Sequence, residues 1–83
     1  MDSKARKVAS QIIERVAAKS PMPIDEVVWR ESDTTHCLEF HHQNRCLGSI
    51  QLDDEDVRSL ERGEPNCARF ALRVQYTLGW YAN

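Results

Sequence analysis

Glycine, proline and cysteine each occur only three times in this 83-residue chain, and none of them forms a motif. The glycines, Gly48, Gly63 and Gly79, stand apart from one another. That excludes a glycine-rich loop cradling phosphate. The odd cysteine count, Cys37, Cys46 and Cys67, does not build a secreted disulfide framework. No stretch approaches the roughly 20 apolar residues of a bilayer-spanning helix. The segment Met1–Lys7 is charged and holds no apolar signal core. A reducing cytoplasm is therefore the expected location, with no membrane partner. The formal net charge is −2, too close to neutral to argue for or against a polyanionic ligand. At this length one domain, residues 1–83, is expected, with a core that leaves a thin stability margin. Neither disulfides nor a paired-cysteine metal motif compensates. Packing on a partner or a second copy, a homodimer, is the natural remedy.

The clearest periodicity lies at the start. Ala5, Val8, Ala9, Ile12, Ile13, Val16 and Ala17 recur at steps of three and four, one stripe of a helix over residues 3–19. Asp2 or Ser3 supplies its cap, and Ser20-Pro21 ends it. Pro21-Met22-Pro23 reads as a stiff connector. Glu26–Glu31 is rich in β-formers and reads as a strand. His36–His42 alternates, with Leu38 and Phe40 on one face and Cys37, Glu39 and His41 on the other. Residues 46–52 alternate in turn, with Cys46, Gly48, Ile50 and Leu52 together. A three-residue loop of His42, Gln43 and Asn44 brings the two apolar faces together, pairing Phe40 with Cys46 and Leu38 with Gly48.

Asp53 then caps a short helix over 54–62. Leu52 and Val57 form a hydrophobic staple, Asp56 stands at the capping-box position, and Gly63 and Pro65 mark the stop. From Ala68 to Trp80 every even position is apolar, a strict two-step that favours a strand. The helical alternative gathers Cys67, Phe70, Ala71, Val74 and Leu78 but leaves Leu72, Tyr76 and Trp80 on other faces. The expected class is α+β in the order α-β-β-β-α-β, an antiparallel meander covered by the first helix. The alternative order is α-βββ-αα, with a C-terminal helix.

The α-βββ-α portion resembles the double-stranded-RNA-binding domain in topology alone. That family sets a lysine-rich helix start against phosphate, and the corresponding start here, Asp53–Asp56, carries the opposite charge. Charge is split along the chain. Residues 1–20 carry five basic side chains against two acidic ones, and the remainder carries six arginines against eleven acids.

With no catalytic or cofactor motif, the chain is expected not to be an enzyme and to need no cofactor. It reads as a protein–protein interaction module, an inhibitor or regulator of the kind phage and bacterial mobile elements encode at this size. The contact residues expected are the acids Asp53, Asp54, Glu55, Asp56 and Glu61, together with Tyr81. A second reading is nucleic-acid binding through Lys4, Arg6, Lys7, Arg15, Arg69 and Arg73. A third is a metal site on the hairpin, where Cys37, His41, His42 and Cys46 crowd together. The alternation argues against this last reading, because it turns Cys46 inward beside Phe40 while Cys37 and His41 face outward.

Overall fold

The computed structural model describes residues 2–20, 23–63 and 65–79. Its elements run α1 (Ser3–Lys19), β1 (Glu26–Glu31), β2 (His36–His42), β3 (Arg45–Leu52), α2 (Asp54–Arg62) and α3 (Ala68–Thr77). The class is α+β, the sheet is an antiparallel meander in the order β1-β2-β3, and the order of elements is α-βββ-αα.

The starts of α1 and α2 follow from side-chain caps. The Asp2 carboxylate accepts from the Ala5 amide at 2.7 Å and opens α1. Asp53 and Asp56 close a reciprocal capping box at α2. The Asp56 amide donates to Asp53 Oδ1 at 2.9 Å, and the Asp53 amide donates to Asp56 Oδ2 at 3.3 Å. Gly63 ends α2 at φ 81°, a left-handed conformation that glycine adopts without steric cost. Of the Pro21–Pro23 connector, Pro21 and Met22 lie outside the described residues.

One cluster forms the core. Ala5, Ala9, Ile12, Ile13 and Val16 of α1 meet Leu38, Phe40, Ile50 and Leu52 of the sheet, together with Leu60, Cys67, Phe70, Val74 and Leu78. Val27 and Trp29 of β1 border it. Arg6 reaches from α1 to Glu31 and lies over the Trp29 ring, 5.4 Å from its centroid. At the far end of α1, Ser20 Oγ donates to the Leu78 carbonyl at 2.9 Å, joining the first helix to the last.

Two expectations require correction. The segment after Pro65 is a helix and not a fourth strand. Phe70, Val74 and Leu78 are spaced by four and bury as one stripe, with Ala71 partly covered beside them. The two-step rhythm came from Leu72 and Tyr76, which α3 turns outward. The free edge that a final strand would have offered is therefore absent, and Trp80 lies outside the described residues.

The hairpin closes differently as well. Gln43 and Asn44 alone form the turn, with φ 50° and 64°, the two positive angles of a type I′ turn. Phe40 pairs with Gly48 and Leu38 with Ile50, while His41 pairs with Cys46. Leu47 is thus the extra residue of a β-bulge. It breaks the alternation, so Cys46 stands on the face of His41, opposite Phe40 and Gly48. Asp25 holds the turn from β1's side: its Oδ2 accepts from the Gln43 amide at 2.8 Å and its Oδ1 lies 3.1 Å from His42 Nδ1. The Gln43 amide, and after it His42, hold the Asp25 carboxyl below the usual aspartate value.

Gly48 permits the close approach of α3 to β3. A Cβ there would stand 2.8 Å from Thr77 Cγ2, and Thr77 is held by its own hydroxyl donating to the Arg73 carbonyl at 2.9 Å. Gly48→Ala is expected to cost about 1–3 kcal/mol, the usual range for overpacking. Thr77→Ser removes the opposing methyl and should recover most of that loss. Urea melts of the four proteins of this cycle check it, and simple additivity of the two changes would refute the close contact.

Candidate functional site

The acidic start of α2 is met by α3. Arg69 Nη2 lies 3.0 Å from Asp53 Oδ2, and Arg69 Nη1 lies 3.2 Å from Glu55 Oε2. Arg73 grips Asp56 Oδ2 and donates a second hydrogen bond to the Gln51 carbonyl at 2.7 Å. Asp56 is 1% exposed, the one buried charged side chain among the described residues. The Asp56 amide, and after it Arg69, hold the Asp53 carboxyl low. Burial pushes the Asp56 carboxyl up. Asp54 and Glu61 remain on the surface. Tyr81 lies outside the described residues. Of the acids expected to meet a partner, three are therefore engaged within the chain.

The same contacts occupy part of the basic set. Arg69 and Arg73 serve the α2 acids, and Arg6 serves Glu31 and Trp29. Lys4, Lys7 and Arg15 lie on the exposed side of α1.

Sequence reasoning did not single out the pair that stands out most. Leu72 and Tyr76, one turn apart on α3, are 48% and 68% exposed, the exposed large apolar residues among those described. They line a shallow hollow of about 380 Å³ with Ser49, Ile50, Gln51, Arg73 and Thr77, between α3 and the outer edge of β3. Arg69 and Arg73 share this face of α3, so the apolar pair runs directly into the charged start of α2. The signal was in the sequence as the two apolar residues left off the stripe 70-74-78.

On the sheet's opposite face, Arg30, Cys37, Glu39, His41 and Cys46 collect. Arg30 Nε lies 2.9 Å from Glu39 Oε2, and His41 Nε2 lies 3.0 Å from Glu39 Oε1. His41, then Arg30, hold the Glu39 carboxyl below its usual value. The Cys46 thiol donates weakly to the Gly48 carbonyl at 3.5 Å. Cys67 sits apart in the core, donating to the Ser59 carbonyl at 3.2 Å, and burial raises its thiol.

No helix among the described residues is long and apolar enough to cross a membrane. Comparison with family models, with curated proteins and with solved structures returns no match.

Proposed function

We propose that this protein is a non-enzymatic binding module that acts on another protein, as an inhibitor or regulator does, through the surface formed by α3, the edge of β3 and the start of α2. The observation that carries this reading is the exposure of Leu72 and Tyr76, where the other large apolar side chains among the described residues are buried or partly covered. Tyrosine is a residue type favoured at interface centres, and Leu72 one helical turn away extends its apolar surface. Ser49 and Gln51 add a hydrogen-bonding border. Asp54 and Glu55 add carboxylates at one end. The partner that suits this surface presents an apolar side chain flanked by basic groups.

A photo-crosslinking phenylalanine analogue placed at Tyr76 of the full chain, in the cells that make it, is expected to trap one discrete protein adduct on irradiation. Leu72→Arg should reduce its yield about tenfold or more, the effect of removing a central anchor. The double reversal Asp54→Lys with Glu55→Lys should weaken it further, with circular dichroism unchanged in all variants. An adduct of twice the chain's own mass would assign self-association instead. The absence of an adduct, or an adduct indifferent to Leu72→Arg, refutes the surface.

A further inference from the structure

We infer that Glu39, His41 and Cys46 form a binding site for a zinc-type divalent cation on the open face of the hairpin. One donor atom from each residue lies within 4.8 Å of the others. They bring a carboxylate, an imidazole and a thiol, the three side-chain types that bind zinc. His41 Nε2 and Glu39 Oε1 are already 3.0 Å apart. A tetrahedral zinc with ligands at about 2.0 Å sets its oxygen and nitrogen donors about 3.3 Å apart, so the pair needs to open by only a few tenths of an ångström.

Two structural features assemble the set. The bulge at Leu47 carries Cys46 across to the face of His41, whose cross-strand partner it is. Arg30 holds Glu39 through Oε2, leaving Oε1 turned toward His41. A carboxylate ligand fixed by a hydrogen bond to its other oxygen is the usual outer support of a metal site.

The charge balance is favourable. With the thiol ionised, Glu39 and Cys46 bring two negative charges, Arg30 one positive, and His41 binds as neutral imidazole. On binding, the Cys46 thiol releases one proton to solvent, the Nε2 proton of His41 is lost to solvent while Nδ1 takes one up, and the metal takes the place of the hydrogen bond between Nε2 and Glu39 Oε1. Three protein ligands leave the fourth tetrahedral position open to water. The site lies on the opposite face of the sheet from the core and does not depend on the protein-binding surface proposed above.

Cobalt(II) tests it on the full chain under reducing conditions. The expected result is one cobalt per chain, with the visible bands of a tetrahedral ion and a thiolate-to-cobalt charge-transfer band. Cys46→Ser should abolish the charge-transfer band, and His41→Gln should abolish the tetrahedral spectrum. Cys37→Ser and Cys67→Ser should preserve both. Arg30→Ala should weaken binding about 10- to 100-fold through the carboxylate it holds. In the unaltered protein, zinc should shift the nuclear magnetic resonance signals of His41 and Cys46 beyond those of His36 and Cys37, a measurement that needs no variant to fold. An octahedral spectrum, a charge-transfer band retained in Cys46→Ser, or zinc shifts centred elsewhere would overturn the site.

Discussion

Phe40→Ala is expected to remove about 4 kcal/mol of folding stability, as deletion of a buried aromatic ring does. Phe40 is wholly buried at the centre of the middle strand, between Val27 on β1 and Gly48 on β3. Deleting the ring loses its transfer free energy and opens a cavity. The sheet cannot close over that cavity, since both neighbouring strands are fixed by their pairing. A chain of 83 residues has a total margin of roughly 4–12 kcal/mol by the per-residue rule. The variant is therefore expected to be marginal or unfolded at 37 °C. Phe40→Leu keeps most of the volume and should cost less than half as much. Chemical denaturation of the two variants beside the parent decides the matter. A loss of under about 1 kcal/mol for alanine would mean that Phe40 is not the keystone of the core.

Asp56→Ala is expected to cost about 3 kcal/mol, the low end of what breaking a buried ion pair costs. The low end applies because Arg73 keeps a third of its side chain in water and retains its bond to the Gln51 carbonyl. The loss has two parts. Arg73 and Arg69 face a hole where a carboxylate stood, and the Asp53 amide loses its acceptor in the capping box. Asp56→Asn keeps an acceptor for both and should cost less.

The pH dependence separates burial from pairing. Burial is the largest influence on this carboxyl and raises it above the ordinary aspartate value of 3.8, against the Asp53 backbone and the two arginines that favour its charged form. A carboxyl raised on folding binds its proton more tightly in the folded state than in the unfolded one. Its contribution to stability is thus full below 3.8 and is lost as pH rises through the raised value. The advantage of the parent over Asp56→Asn should be larger at the acidic end of that window than at neutral pH. An advantage that grows with pH would show that the bond to Arg73 outweighs the cost of burial.

Much of this architecture is visible in the amino-acid sequence because the local signals agree with one another. Asp2 and Asp53 announce helix starts, Gly63 a stop, and Leu38 and Phe40 an inward face, and the structure places each as its chemistry requires. The signals that misled were local signals overruled at a distance. Arg69 and Arg73 occupy odd positions in a two-step pattern, which looks like the wet face of a strand. They are also four apart, and what selects the helical spacing is Asp56, buried across the fold and joined to Arg73. Nothing near residue 70 in the chain reports that contact. The bulge at Leu47 was hidden for a similar reason. Alternation assigns Cys46 to the apolar face, and only the two-residue turn pinned by Asp25 moves it to the other. Cys46 and His41 became neighbours through that one displaced residue. The acidic residues proposed for binding were legible as a charged run. The pairing of Asp53, Glu55 and Asp56 with α3 was not, because it required α3 to be a helix.

The bond between Ser20 and Leu78 ties α1 to the end of α3, and this arrangement has a consequence for biosynthesis. Residues 3–19 leave the ribosome before any of the strands, yet α3, one of the helices that covers α1, is made after all of them. The meander and α2 involve neighbours in the chain and can form while translation continues. The side of Ile12 and Val16 that meets Ala71 of α3 stays open until residues 68–77 have been made. The growing chain thus carries one uncovered apolar strip on α1 until α3 arrives to close it, and in that interval a chaperone would find it.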